Sequence, residues 1–179
     1  MKGQRSYFEP ADFQSEWPYQ FLAGAVTLLL VFIEQGLAQW PVFFGASPIL
    51  SLIFMYYIMV YKPNLMPIGT IFLTCIIADI LFSDILGGRA AAFMLLSYVV
   101  QARIFRLRQC EFTELWLDFA LSCIAVLLFQ LIIFSAVNFT VPSLSPVLFQ
   151  AGVTLILFPP GYVLIYSIYH LLEKLRLVA

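Results

Sequence analysis

The chain has 179 residues, of which 63% are hydrophobic, 17% are aromatic and only 11% are charged, and its formal net charge is −1. Soluble domains carry about 25% charged residues, so this composition excludes an ordinary soluble fold and predicts an integral membrane protein. A charge this close to neutral gives no reason to expect a nucleic-acid partner.

Six apolar runs follow one another along the chain, separated by short polar breaks. None shows strand-like alternation, and backbone amides cannot stay unpaired in lipid, so these runs should be helices. Crossing a hydrocarbon core of about 30 Å takes roughly 20 helical residues. The sequence therefore predicts one all-α polytopic membrane domain over residues 1–179, with a tail at 1–18 and six transmembrane helices at about 19–39, 47–61, 66–86, 89–107, 113–137 and 147–172.

The run at 47–61 is short for a span, and the basic residues decide how we interpret it. If all six runs cross and the N-terminus is cytoplasmic, the cytoplasmic side holds eight basic residues and the outer side holds only Arg89, as the positive-inside rule requires. Treating 47–61 as re-entrant reverses this bias. We therefore predict an N-in/C-in topology, in which the tail is cytoplasmic. The eight residues are Lys2, Arg5, Lys62, Arg103, Arg106, Arg108, Lys174 and Arg176.

Two acids and one arginine are expected inside the membrane near its outer side. Glu34 and Asp79 fall in the outer halves of the first and third spans, and Arg89 begins the fourth span from that side. The long Arg89 side chain can reach Glu34, Asp79 or Asp84 and neutralise an acid there. Two interpretations stay open: a polar site for a substrate, a proton or a partner helix, and a structural ion pair that fixes helix packing.

A second charged group surrounds the turn between the fourth and fifth spans, where three arginines precede the turn and three acids follow it. Arg103 and Asp118 enter the membrane from the inner side at similar depth, so we expect them to meet. The arginines are either a docking site for a cytoplasmic partner or a topology signal in contact with lipid headgroups.

The sixth span contains Pro159, Pro160 and Gly161 at its midpoint. The prolines remove backbone amides from the helix and the glycine adds flexibility, so we predict a helix that is kinked or broken there. Transporters use broken helices to expose backbone groups to ligands, whereas one kinked helix without a counterpart is a packing feature.

The sequence offers no recognisable catalytic, cofactor-binding or metal-binding set. The single histidine, His170, falls on the cytoplasmic side, away from the outer serines that it would have to activate. Asp79 and Asp118 lie at different depths, which argues against two-aspartate proteolysis. The sequence has no HExxH motif and no nucleotide-binding glycine loop. We therefore expect a protein that is not an enzyme and needs no cofactor.

Several short motifs follow one another along the chain: KPNLMP at 62–67, DIL at 79–81, ILG at 85–87, and Tyr98, Arg103 and Trp116. In their order and spacing they resemble those of the rod-shape-determining MreD family. A proline in the last span, Pro159 or Pro160, also resembles the family pattern. The chain departs from that pattern at Cys75, where the family often has a glycine.

This resemblance implies a small scaffold in the bacterial inner (cytoplasmic) membrane, within the machinery that elongates the cell wall. The implied partners are the bitopic protein MreC, the MreB filament, the glycosyltransferase RodA and a class B penicillin-binding transpeptidase, besides membrane lipids. The alternative is a substrate-binding membrane subunit of an energy-coupling-factor vitamin transporter, in which Glu34, Asp79, Arg89 and a broken sixth helix would line an outward-facing pocket.

Overall fold

The computed structural model describes residues 13–40, 47–82, 85–139 and 144–176, with side chains placed between residues 17 and 168 of these ranges. Within them the chain forms helices and no strand, so the all-α prediction is confirmed. The helices are α1 (Phe13–Ala38), α2 (Leu50–Tyr61), α3 (Ile68–Phe82), α4 (Gly88–Leu107), α5 (Phe112–Asn138) and α6 (Leu144–Arg176), and a short 3-10 turn (Pro63–Leu65) joins α2 to α3.

Four of these helices contain segments long and apolar enough to cross a membrane: Trp17–Ala38, Gly88–Leu107, Phe112–Asn138 and Leu144–Ile168. The other two are shorter. α2 has 12 residues and α3 has 15, which corresponds to rises of about 18 and 22 Å, less than the hydrocarbon core of about 30 Å. The protein is therefore a multi-pass membrane protein with four candidate spans, and the crossing of α2 and α3 stays a prediction.

The beginning of α1 and the continuity of α6 differ from what the sequence predicted. α1 begins at Phe13, inside the stretch predicted as a tail, and the tail residues before it lie outside the described residues. α6 runs without interruption through Pro159 and Pro160, so the helix is not broken there. A kink at that point stays a prediction.

The short helix α2 lies at the centre of the bundle. It packs against α1, α4 and α6, and nine of its twelve residues are buried. Its sequence is apolar on every side, which is typical of a helix that is surrounded by protein. The remaining packing follows chain order closely: α3 lies against α1 and α4, α4 against α5, and α5 against α6.

Aromatic rings fill the space between α2, α5 and α6. The rings of Phe119 and Phe158 stack with their centroids 4.0 Å apart, and Tyr56 meets the Phe119 ring edge-on at 5.2 Å. Lipid tails are as apolar as these side chains, so the hydrophobic effect does not favour the packed state. Close packing and polar contacts must therefore hold the helices together.

Candidate functional site

Glu34, Asp79 and Arg89 meet at the end of the bundle where α4 begins, and we call them the buried charge cluster. Arg89 Nη1 lies 3.9 Å from Glu34 Oε2, and Arg89 Nε lies 3.7 Å from Asp79 Oδ1. The side chains are 12%, 2% and 0% exposed for Arg89, Glu34 and Asp79. The guanidinium also lies over the Phe82 ring, 4.4 Å from its centroid. The cluster thus joins α1, α3 and α4 around one cation.

Each acid of the cluster also binds the beginning of another helix. Glu34 Oε1 accepts a hydrogen bond from the amide of Ser51, in the first turn of α2. Asp79 Oδ2 accepts one at 2.8 Å from the amide of Gly87, the residue before α4. Helix beginnings carry unpaired amides and a positive partial charge, so both carboxylates lie where an anion is stabilised.

Gly87 can make this contact because of its backbone conformation. Its φ is +86°, in the left-handed region that favours glycine, and this turn directs its amide toward Asp79. The aspartate at 79 and the glycine at 87 therefore form one unit that sets where α4 begins. The third acid considered for Arg89, Asp84, lies outside the described residues.

Polar side chains of α6 complete the attachment of α2 at the same end. Thr154 Oγ1 accepts a hydrogen bond from the Ile49 amide at 3.0 Å, and Gln150 Nε2 donates to the Ser47 carbonyl at 2.9 Å. Thr154 is fully buried. Its hydroxyl in turn donates to the Gln150 carbonyl, as expected for a threonine four residues further along a helix.

At the other end of α2, the expected contact between Arg103 and Asp118 is present. Arg103 Nη1 lies 3.4 Å from Asp118 Oδ1, and the Arg103 side chain is 54% exposed. Asp118 Oδ2 also accepts a hydrogen bond from the Tyr56 hydroxyl at 2.9 Å, which ties α2 to α5. Arg108 Nε donates to the Val60 carbonyl at 2.8 Å, so a cation lies at the end of α2 as its dipole favours.

Pro159, Pro160 and Gly161 have separate surroundings within α6. Pro159 has no amide for the Leu155 carbonyl, and Trp116 Nε1 of α5 donates to that carbonyl at 3.2 Å instead. Gly161 faces α2, where an added Cβ would come within 3.2 Å of Ile53 Cγ2, so the glycine permits the two helices to approach closely. Pro160 lies on the exposed side of the helix.

A cavity with a volume of about 340 Å³ lies between α4 and α5. Arg103 and Asp118 border it, and its other walls are mostly apolar, including Leu96, Val99 and Leu121. The buried charge cluster does not border this cavity. The part of the chain that the structure describes contains no group of three His, Cys, Asp or Glu side chains that could hold a metal.

Comparison with known families identifies the chain. The family model described as rod shape-determining protein MreD matches residues 15–174. This chain belongs to the MreD family. Searches of curated proteins and of solved structures gave no match. The resemblance noted in the sequence is therefore confirmed, and the chain is a rod-shape-determining membrane protein of the MreD type.

Several residues of this MreD-family protein were missed by the sequence analysis. Tyr56, Gln150 and Thr154 each bind a partner more than 60 positions away in the chain. Gln150 and Thr154 are spaced by four within an apolar run, which places both on one face of α6, and that spacing could have indicated a polar contact there. Tyr56 gave no such signal, because a tyrosine in an apolar helix is ordinary.

Proposed function

We propose that this MreD-family protein is a non-enzymatic scaffold in the bacterial inner membrane, where it belongs to the complex that elongates the cell wall. In this role it binds MreC and links the MreB filament to the peptidoglycan synthases RodA and a class B penicillin-binding transpeptidase. The observation that carries the proposal is the family match over residues 15–174. The partners are those that the family membership implies.

The polar side chains inside the bundle bind other helices, and this supports a scaffold function. The buried charge cluster binds the beginnings of α2 and α4, and the Arg103–Asp118 pair ties α4 to α5 and, through Tyr56, to α2. These contacts fix the positions of neighbouring helices relative to one another, as a rigid scaffold in the membrane requires. Candidate residues Glu34, Asp79 and Arg89 therefore act in this proposal by fixing the helices that partners contact.

Short connections support lateral recognition between helices. The link between α4 and α5 comprises only residues 108–111, and three residues of 3-10 turn lie within the link between α2 and α3. The long helices instead expose large apolar side chains, among them Phe21, Phe105 and Leu148. In our proposal, partner helices pack on such faces within the membrane.

For the topology we propose six spans with both termini in the cytoplasm, in a single domain. The eight-to-one distribution of basic residues supports this arrangement. α2 is embedded among other helices and capped at both ends by side chains, so it does not need to reach both lipid surfaces itself. α3 is tied to the beginning of α4 by the hydrogen bond from the Gly87 amide to the Asp79 carboxylate.

The alternative of a vitamin-binding transporter subunit is not favoured by any observation on this structure. It would have Glu34, Asp79 and Arg89 line a ligand pocket, whereas these side chains contact one another and helix beginnings and are 12% exposed or less. The cavity between α4 and α5 does not include them.

Crosslinking in living cells tests the proposal. The full chain, carrying an affinity tag, is crosslinked in its native cell and purified in detergent, and the proteins that remain attached are identified by mass spectrometry. An unrelated tagged multi-pass protein at equal expression is the control. We expect enrichment of MreC or the wall synthases over the control. Recovery of ATPase subunits with a transporter scaffold instead would contradict the proposal.

A further inference from the structure

The two prolines in α6 leave two backbone carbonyls without their helical donors, and only one of these carbonyls accepts a hydrogen bond from a described side chain. Because Pro159 and Pro160 have no amide hydrogen, the carbonyls of Leu155 and Ile156 lose their usual helical donors. Trp116 donates to the Leu155 carbonyl at 3.2 Å. No described side chain donates to the Ile156 carbonyl. One acceptor is therefore satisfied from inside the protein, and the other is left without a side-chain donor.

Ile156 lies on the side of α6 that the other described helices leave exposed. Ile156 is the central residue of the candidate span Leu144–Ile168, its side chain is 75% exposed, and Pro160, toward which its carbonyl points, is exposed as well. Only 11% of the most apolar part of this span is buried within the protein, whereas the corresponding share is 22% or more in the other three candidate spans. Lipid tails cannot donate hydrogen bonds, and an unpaired backbone acceptor is costly at this depth.

The side chains around this carbonyl leave room for another helix. Residues spaced by four along a helix form a ridge on its surface. We call the ridge around Ile156 the Ile156 face: Leu148, Gly152, Ile156, Pro160 and Leu164. A Cβ added at Gly152 would meet no atom within 4 Å, so the surface is low one turn before Ile156. A second backbone can come close at such a point.

We propose that the Ile156 face binds a transmembrane helix of another polypeptide, which donates a hydrogen bond from a polar side chain to the Ile156 carbonyl. The need for a donor selects a protein helix over lipid. The donor is a side chain such as Asn, Gln, Ser, Thr or Trp near the middle of the partner helix. The inference deepens the proposed scaffold function, on which it rests for the existence of a partner in the membrane.

Photocrosslinking of the full chain in its native membrane identifies what lies on this face. A photoreactive amino acid replaces Ile156, and the control carries it at Ile132 of α5, which is 61% exposed. The crosslinked peptide is then sequenced. We expect a transmembrane peptide of another protein that carries a polar donor within one helical turn of the crosslinked residue, obtained at Ile156 and not at the control position. Crosslinks to lipid alone, or to a second copy of this chain, would overturn the inference.

Two proline variants test the hydrogen bond itself. Pro160→Ala restores an amide for the Ile156 carbonyl, whereas Pro159→Ala restores one for the carbonyl that Trp116 already satisfies. Interhelical hydrogen bonds in membranes correspond to about 3- to 20-fold in affinity, so Pro160→Ala should weaken retention of the crosslinked partner by about that factor. Pro159→Ala should leave retention within about twofold. Equal retention in both variants would overturn the inference.

The result separates this inference from the proposed function. Recovery of the wall-elongation proteins together with lipid-only crosslinks at Ile156 would overturn the Ile156 face and leave the scaffold intact. A crosslink to a donor-bearing helix of a protein outside wall elongation would support the face and contradict the scaffold. Unfolding temperatures of both proline variants at or above that of the unmodified chain would show that lost retention is not lost folding.

Discussion

Replacing Arg89 with leucine should destabilise the protein far more than the same replacement at Arg103. Arg89 is 12% exposed and lies within 3.9 Å of both Glu34 and Asp79, whereas Arg103 is 54% exposed beside Asp118. Removing one partner of a buried ion pair costs about 3–5 kcal/mol, because a charge stays buried without compensation. Losing an exposed pair costs about 0–1 kcal/mol.

The difference can be measured by thermal unfolding in detergent. For a chain of this size, 1 kcal/mol shifts the unfolding temperature by about 2–4 °C. We therefore expect a fall of about 6–20 °C for Arg89→Leu and at most about 4 °C for Arg103→Leu. A fluorophore that reacts with thiols reports unfolding when the buried Cys75 and Cys123 become accessible, and Cys110→Ser removes the more exposed thiol.

A rescue experiment identifies the cause of the loss. Adding Glu34→Gln and Asp79→Asn to the Arg89→Leu variant removes the uncompensated charges, so most of the lost unfolding temperature should return. The reasoning is refuted if Arg89→Leu lowers the unfolding temperature by less than about 6 °C, or by no more than Arg103→Leu does. It is also refuted if neutralising the acids restores nothing.

Three further outcomes follow from single contacts. Trp116→Phe should cost about 0.5–1.5 kcal/mol in the natural sequence and almost nothing in a Pro159→Ala background, where an amide takes the place of the indole, as measured by the same unfolding assay. Glu34→Ala should destabilise by about 1–3 kcal/mol more than Glu34→Gln, because glutamine retains an acceptor for the amide at the beginning of α2. Cys110, in the link after α4, should react with a membrane-impermeant maleimide in inverted vesicles and not in intact spheroplasts. Burial and then the nearby acid Glu114 raise the pKa of that thiol, so the labelling rate should rise steeply with pH above 7 as the thiolate forms.

Each of these expectations has a definite contrary result. If Trp116→Phe destabilises both backgrounds equally, the indole does not replace the amide that Pro159 lacks. Equal stability of Glu34→Ala and Glu34→Gln would show that an acceptor at position 34 does not stabilise the beginning of α2. Labelling of Cys110 in spheroplasts would contradict the N-in/C-in topology.

The helices themselves were predictable from composition, because unpaired amides are not tolerated in lipid and apolar runs must therefore be helical. The contact of Arg103 with Asp118 was predictable from their equal depth, and that of Arg89 with the acids from its reach and its side of the membrane. In each case the position along a helix, at a fixed rise per residue, determined the depth.

The contacts that sequence reasoning missed depend on which helices are neighbours. Glu34 binds the first turn of α2, and Trp116 binds the Leu155 carbonyl. The depth of these residues in the membrane does not predict either contact, because each depends on how two helices distant in sequence are rotated and packed. The continuity of α6 through its prolines was missed for the same reason. A carbonyl released by a proline can be satisfied by an adjacent helix, and the sequence does not show which helix is adjacent.

Depletion of the protein in its native bacterium tests the central claim most directly. The chromosomal copy is placed under a repressible promoter, and cell width and length are measured by microscopy as the protein is lost, with and without a second copy supplied in trans. We predict that cells widen and become round while membrane integrity is kept, and that the second copy restores rods. Cells that keep their rod shape and wall-synthesis rate after the protein has disappeared would contradict the account.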